Sequence, residues 1–563
     1  MSTFDFDIGI IGGGAAGLTV ASGAAQLGAK TLLVEKEKVL GGDCLHYGCV
    51  PSKTLIRTAQ VYHLMKNSRV FGLPAIETPP VNFQAVKQRI QSVIATIQKH
   101  DSEERFCSLG AKVEFGEAVF EDEHLVRLNG KQVSAKHWVI ATGSSPSIPA
   151  VEGLDQTPYI TNKEIFYLDR LPGSMVILGA GPIAIEMAQA FCRLGTKVSV
   201  VQRSGQILTK EDKDMADGVM RVLSSEGVSF HLNASVFRVK DLGPEQEIVL
   251  NDGEGRPFSL RAEKVLVAMG RVPNVETLGL GGIGVEFNGK GIQVDRRMRT
   301  TQKHLYAAGD VTGDNQFTHA AGYEGGIVVS NAVFHLPRKA DYTFLPWCTY
   351  TDPELASIGM NEKRAREAGI EYSVWTEPFK SNDRSLAEGE EVGKIKLLLD
   401  RNEKPLGIQI LGPQAGVAGL DLVLFDVHRG ELVVADHRLA DQDGVLIVAA
   451  LPAHEGHEDV LAQGQLAQLG GRGVGQDVAL VDVLALDDDG LLVEAGALVG
   501  ALEAAQLVGA AAVRPLDHDL LPGDADHFAF FFGDDDLAGV DGHLALDARS
   551  HEGGIGLDEG HCL

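Results

Sequence analysis

One local pattern occurs twice in this chain, and it restricts the fold more than any bulk property. An apolar run of strand length, Phe6-Asp7-Ile8-Gly9-Ile10-Ile11, leads into Gly12-Gly13-Gly14-Ala15-Ala16-Gly17, which opens a helical stretch. A second strand, Thr31-Leu32-Leu33-Val34, ends at Glu35, 18 residues past Gly17. Strand, glycines, helix, strand and acid in that order predict a parallel βαβ unit that binds a dinucleotide. Gly12 is expected in the tight turn. Gly14 leaves room for a pyrophosphate beside the backbone, and Gly17 lets helix pack on strand. The helix N-terminus supplies N–H groups for the phosphates. Glu35 stands where a ribose hydroxyl needs an acceptor.

The second copy runs from Met175-Val176-Ile177-Leu178 through Gly179-Ala180-Gly181-Pro182-Ile183-Ala184 into a helix carrying Glu186. Its closing strand, Lys197-Val198-Ser199-Val200-Val201, ends at Gln202-Arg203. Ala184 takes the third glycine position, and Gln202 takes the place of the acid. A missing acid beside a cation suits a 2′-phosphate, so the second site leans to NADPH over NADH. Residues 8–29 carry no charge and have the length of a membrane span, but their glycine spacing reads as buried strand, turn and helix.

Between the two units lies Gly41-Gly42-Asp43-Cys44-Leu45-His46-Tyr47-Gly48-Cys49-Val50-Pro51-Ser52-Lys53. In a regular helix, positions five apart are roughly 8–9 Å from one another. A disulfide needs Cα atoms about 4.4–6.8 Å apart. A Cys44–Cys49 bridge therefore requires a break in the helix, and Gly48 is the residue that permits one. Two readings follow from the pair alone: a strained, redox-active disulfide, or two reduced cysteines packed as small hydrophobes.

With its flanks, this segment resembles the redox-active segment of the flavin-dependent pyridine nucleotide–disulfide oxidoreductases. The Asp43 variant is most similar to dihydrolipoamide-dehydrogenase-like and mercuric-reductase-like members. Further landmarks follow in family order. They are Val139-Ile140-Ala141-Thr142-Gly143, Gly270-Arg271-Val272-Pro273-Asn274, Leu305-Tyr306-Ala307-Ala308-Gly309-Asp310, Thr318-His319-Ala320-Ala321-Gly322-Tyr323-Glu324-Gly325 and Pro346-Trp347-Cys348-Thr349-Tyr350. The resemblance spans residues 5 to about 416. It implies an α/β fold with two Rossmann-like domains, one for FAD (1–150 and 275–340) and one for NAD(P) (151–274). A partial α+β interface domain (341–416) follows.

By that resemblance, electrons pass from NAD(P)H through FAD to the Cys44–Cys49 pair and on to a small-molecule or lipoyl-type disulfide. Cys49 is the flavin-side thiolate and Cys44 the interchange thiol. Lys53 is the flavin-side cation, paired with Glu186. The FAD set is Gly12, Gly14, Gly17, Glu35, Thr142, Gly143, Asp310 and His319, with His319 in a structural role. Gly179, Gly181, Gln202 and Arg203 form the nicotinamide set, and Gly270 and Arg271, in the segment that closes that domain, are further cofactor-binding residues. The resemblance also implies a homodimer. A metal-ion reductase of the mercuric-reductase kind is the alternative. That family usually adds a vicinal Cys-Cys near its C-terminus, whereas Cys562 stands alone here.

Family members take an acid/base His from a C-terminal His-Pro-Thr segment, with Glu five positions on. Neither His454 nor His457 has that setting. An inactive flavoprotein is therefore a third reading, and little disulfide turnover is expected.

The chain changes character after Gly416. The net charge of −27 is concentrated there: residues 417–563 hold five Arg and no Lys against 28 Asp and Glu. That stretch also lacks Asn, Thr, Tyr, Trp and Met. Nearly every residue in it has a codon beginning with G or C, a rule that shifted reading of GC-rich DNA imposes and folding does not. An out-of-frame or disordered acidic tail is expected, and with it a truncated interface domain and a doubtful dimer. No basic patch suggests nucleic acid, and neither a signal peptide nor a membrane anchor is expected. Six cysteines in 563 residues suit a reducing cytoplasm better than a secreted disulfide framework.

Overall fold

In the computed structural model, which describes residues 4–416, β1 (Phe6–Ile11) is buried along its last four residues. It is a central parallel strand covered on both faces, and its sequence is accordingly apolar without alternation. α1 (Ala15–Gln26) and β2 (Thr31–Glu35) complete the first βαβ unit, with Ile8 opposite Thr31 and Ile11 opposite Val34. α1 buries Ala16, Gly17, Val20, Ala21 and Ala24. These small residues let the helix Thr318–Ala332 approach closely; a Cβ on Gly325 would lie 3.0 Å from the carbonyl of Ala16.

The sheet continues with β3 (Ala111–Phe115), β4 (Ala118–Phe120), β5 (Leu125–Leu128) and β6 (Lys131–Ile140), in the order β3-β2-β1-β6-β5-β4. The start of β6 pairs antiparallel with β5, whereas its end pairs parallel with Leu305–Ala307, a strand that returns after the whole second βαβ unit. α2 (Gly42–His46) and α3 (Cys49–Lys66) follow β2. Residues 54–110 are expected to be mostly helical. Helices Phe83–Gln98 and Glu103–Ser108 fit that expectation, but residues 73–82 carry no regular structure. Pro74, Pro79 and Pro80 lack the N–H groups that a helix there would need.

The second unit is a four-stranded parallel sheet of Ser229–His231, Lys197–Val201, Ser174–Leu178 and Lys264–Val267. The helix Pro182–Leu194 crosses between its two central strands. Beyond it lies a five-stranded antiparallel sheet, Trp347–Thr349, Glu354–Gly359, Pro405–Gly412, Lys394–Leu399 and Ser373–Pro378.

Carboxylates of residues 211–214 fasten this last sheet to the second βαβ unit. Buried Glu211 accepts hydrogen bonds from Trp347 Nε1 (2.6 Å), Ser357 Oγ (2.7 Å) and Gln409 Nε2 (2.7 Å). The Lys396 ammonium, with its side chain 3% exposed, meets Asp212 (3.2 Å), Asp214 (2.6 Å) and Glu362 (2.8 Å). A buried lysine needs such partners, because an unpaired ammonium removed from water is costly. Residues 417–563, including His454, His457 and Cys562, lie outside the described residues.

Candidate active site

The C-terminal ends of the parallel strands, where ligands bind in open α/β sheets, border a cleft of about 1030 Å³. Its wall includes Gly12, Gly14, Glu35, Thr142, Gly143, Asp310 and His319 from the first unit. Cys44, Cys49 and Lys53 line it, as do Gly181, Glu186, Gly270 and Arg271. Gly17, Gly179, Gln202 and Arg203 do not. Gly17 is buried in α1. Gly179 forms the second turn, with φ +105°. Gln202 and Arg203 follow the end of the Lys197–Val201 strand.

The helix break at the cysteines is visible in the backbone. α2 ends at His46 and α3 begins at Cys49, with Gly48 as N-cap residue. A Cβ on Gly48 would lie 2.9 Å from the Asp43 carbonyl and 3.1 Å from the Cys44 Cα, so only glycine lets the two turns approach. Both thiols are free, and they hydrogen-bond to each other. Cys49 opens onto the cleft at the first position of α3, where the helix dipole favours an anion. The hydrogen bond from Cys44 lowers the Cys49 thiol to about 6, helped by Thr318 and the charge of Lys53, against the effect of burial. Thr318 Oγ1 lies 3.4 Å from the Cys49 sulfur. The same hydrogen bond and burial push Cys44 far upward. The pair is asymmetric: its surroundings favour the thiolate at Cys49 and the protonated thiol at Cys44.

One turn into α3, Lys53 Nζ forms a 2.9 Å ion pair with Glu186 Oε2. Glu186 Oε1 accepts the Tyr350 amide at 2.9 Å, and the Tyr350 ring lies under Lys53 Nζ, 4.3 Å from its centroid. Burial disfavours the ammonium, but Glu186 outweighs that effect and the Lys53 pKa is raised. Lys53 is therefore a permanent cation beside Cys49.

A second polar group lies around Arg271. Its guanidinium donates to Ser144 Oγ (2.7 Å) and to the Ser144 carbonyl (2.9 Å), and it faces Asp43 (3.2 Å) and Asp310 (3.6 Å). Ser144 Oγ donates to Asp310 at 2.5 Å. Burial raises the Asp310 carboxyl, although Ser144 and Arg271 oppose this. Asn162 Nδ2 donates to Asp43 (3.2 Å) and to the Tyr47 carbonyl (3.1 Å). Thr142 Oγ1 donates to the Asn274 carbonyl at 2.7 Å. His319 Nε2 donates to the Pro346 carbonyl at 2.7 Å, and burial lowers its pKa, so the ring is neutral. Glu324 accepts Gly309 N (2.6 Å) and Tyr342 Oη (2.8 Å), and burial raises its carboxyl to about 7.

Thr318, Tyr350, Ser144 and Asn162 are the site residues that sequence reasoning missed. Thr318 and Tyr350 stand inside family landmarks, and that position was their only signal.

The donor set suits a dinucleotide. The N-terminus of α1 has no side-chain cap, and a Cβ at Gly14 would meet nothing closer than the Gly42 Cα at 3.8 Å. Its amides thus face open space, as a pyrophosphate requires. Glu35 is 8% exposed, and its oxygens accept Gly13 N (2.6 Å) and Glu37 N (2.8 Å). Each oxygen keeps a further lone pair for a hydroxyl.

Comparison with known proteins agrees with this geometry. Residues 6–325 match the family described as pyridine nucleotide-disulphide oxidoreductase, and residues 345–423 match its dimerisation domain. A mercuric reductase of Bacillus cereus is 33% identical over 415 residues, covering 73% of this chain and 65% of that protein. A dihydrolipoyl dehydrogenase of Bacillus subtilis is 34% identical over 443 residues, covering 75% and 92%. Among solved structures, the HOCl-induced flavoprotein disulfide reductase RclA from Escherichia coli aligns with a TM-score of 0.66 at 28% identity, covering 74% of this chain and 92% of that one.

Proposed function

Because this chain belongs to the pyridine nucleotide-disulphide oxidoreductase family, we propose that it is an FAD-dependent NAD(P)H:disulfide oxidoreductase working through Cys44 and Cys49. The observation that carries this reading is the asymmetric thiol pair beside a fixed cation. FAD, when bound, supplies the two-electron chemistry between nicotinamide and sulfur. The α1 N-terminus and Glu35 would hold its adenosine diphosphate half. Thr142, Gly143, Asp310 and the start of the Thr318–Ala332 helix would hold the rest. Gly179 and Gly181 would take the nicotinamide coenzyme, with Gly270 and Arg271 at the mouth of the shared cleft. The proposed division is the FAD domain at 1–150 and 275–340, the NAD(P) domain at 151–274 and the interface domain from 341.

Substrate reduction then uses the chain's own sulfurs. Cys44, once deprotonated, attacks one sulfur of the disulfide and forms a mixed disulfide, releasing the first thiolate. Cys49 attacks the Cys44 sulfur, which releases the second thiolate and closes the Cys44–Cys49 bond. Two electrons leave the chain, and the protein disulfide is left to be reduced again. Lys53 stabilises the Cys49 thiolate throughout. Cys44 holds its proton firmly, so the first attack needs a base, and neither His454 nor His457 has the sequence setting of the family's acid/base histidine. Slow turnover on lipoyl-type disulfides is the expected result.

Arg203 is exposed and forms no ion pair among the described residues, which supports NADPH. The dimerisation-domain match supports a homodimer. Among the described residues no helix is long and apolar enough to cross a membrane, and six cysteines in 563 residues support a reducing cytoplasm. A second reading is reduction of a thiol-avid metal ion. It is supported by a thiolate and a thiol side by side, a ligand pair suited to soft metals, and by the mercuric reductases among the relatives.

Anaerobic titration of the flavin-loaded full chain with NADPH tests the proposal. Two new thiols per chain should appear, and none in C44S/C49S. The long-wavelength absorbance of the reduced wild type should decline as pH falls through about 6, where Cys49 takes up its proton. Electron uptake with no new thiols would refute it. NADPH oxidation driven by Hg²⁺ or Cu²⁺ but by no disulfide would select the metal-ion reading. Flavin content with no NAD(P)H oxidation at all would select an inactive flavoprotein.

A further inference from the structure

A second cluster of ligating groups lies at the opposite end of the seven-stranded sheet from the cleft. Glu123 and His124 form the turn between β4 and β5, and His304 immediately precedes the Leu305–Ala307 strand. Ligand atoms of the three side chains lie within 4.8 Å of one another. The two imidazoles stack, with centroids 4.2 Å apart and planes 26° from parallel.

The hydrogen bonds of the two rings are as informative as their proximity. His124 Nδ1 lies 2.9 Å from the Ala135 carbonyl, and His304 Nε2 lies 3.0 Å from the Glu123 carbonyl. A carbonyl only accepts, so each of those nitrogens carries the hydrogen. His124 Nε2 and His304 Nδ1 are left with lone pairs. Metal-binding histidines show this arrangement, one ring nitrogen donating to a carbonyl or carboxylate while the other faces the ion. The Glu123 carboxylate is exposed and forms no ion pair among the described residues.

We propose that Glu123, His124 and His304 bind a divalent cation of the zinc class, with water completing the shell. Two imidazoles and a carboxylate suit Zn²⁺, Cu²⁺ or Ni²⁺ rather than Mg²⁺ or Ca²⁺. A tetrahedral ion about 2.1 Å from each donor lies in the plane of each imidazole that binds it, so binding swings one ring out of the stack as well as drawing the exposed Glu123 side chain inward. The site is separate from the redox centre. Ala135 pairs with Phe6 at the start of β1, whereas the cleft lies beyond Ile140, five residues or about 17 Å along the strand. Such an ion would tie the β4–β5 turn to the returning Leu305–Ala307 strand, two segments far apart in sequence.

The test uses the full-length oxidised holoenzyme, a zinc salt and diethylpyrocarbonate, with modification read by mass spectrometry on the peptides containing His124 and His304. Histidines beyond residue 416 fall on other peptides and do not obscure the readout. Zinc should slow modification of both residues strongly, because a ring nitrogen bound to the ion has no free lone pair to react. H304N should abolish zinc protection at His124. E123A changes an exposed side chain and should weaken protection at both histidines without altering flavin content. Equal modification rates with and without zinc in the wild type would overturn the proposal and leave a stacked histidine pair. So would protection of His124 that survives H304N.

Discussion

The two glycine turns have the same backbone shape but differ at the third glycine position and at the end of the second strand. Gly12 and Gly179 both adopt positive φ, +115° and +105°. A Cβ on either would lie 2.2 Å or 2.3 Å from a carbonyl oxygen, that of Ala141 or Ala268. Gly14 and Gly181 are both extended N-cap residues without a side-chain cap. At the third position a Cβ on Gly17 would fall 1.8 Å from the Gly12 carbonyl, whereas Ala184 already carries its Cβ, fully buried. The first helix therefore lies closer to its turn than the second does. At the strand ends, Glu35 is buried and holds two backbone amides, whereas Gln202 binds Ser204 Oγ at 2.7 Å and Arg203 reaches solvent. The glycines report how closely backbone must approach backbone. The strand-end residue reports ligand chemistry.

The largest expected effect breaks the first turn. Gly17→Ala forces α1 outward; strain of about 3 kcal/mol corresponds to roughly hundredfold weaker flavin retention. The absorbance ratio of flavin to protein after gel filtration measures it, and wild-type flavin content would show that the turns are interchangeable. Next, Glu35→Ala leaves the Gly13 and Glu37 amides without their acceptor. Unsatisfied groups of this kind cost about 1–3 kcal/mol, so flavin affinity should fall about tenfold or more by equilibrium titration of the apoprotein.

At the second turn, Arg203→Ala removes an exposed cation worth about 1 kcal/mol. The kcat/KM for NADPH should fall about fivefold while that for NADH holds. Equal losses for both coenzymes would remove the lean to NADPH. The smallest effect is Ala184→Gly, which should lower stability by about 1 kcal/mol in denaturant unfolding and leave flavin content unchanged.

The parts of the site legible in the sequence are those carried by short stretches of chain. The Gly12-x-Gly14-x-x-Gly17 turn, its strands and Glu35 span thirty residues, and the thiol pair with Lys53 spans ten. The groups that complete the site are remote in sequence. Thr318 reaches Cys49 across 269 positions, Glu186 reaches Lys53 across 133, and Ser144 reaches Asp310 across 166. A single serine or threonine has no local pattern that marks it as one of these. Residues 73–82 depart from the helical expectation for 54–110 because Pro74, Pro79 and Pro80 interrupt the periodicity that runs on either side. The Lys396 clamp had no signal either, since Lys394-Ile395-Lys396 reads as an ordinary half-exposed strand.

The sequence by itself determined the two βαβ units and the helix break at Gly48 between the two cysteines. These depend on steric and spacing rules that act over a turn or two of backbone. The resemblance had already put the thiolate on Cys49; only the tertiary structure supplies a physical reason, because Cys44, Thr318 and Lys53 converge on Cys49. Tertiary structure alone also brought Glu123 and His124 against His304. Proton affinity and metal affinity both follow from which charges and lone pairs meet in space, and the folded sheet, not the local chain, brings them together.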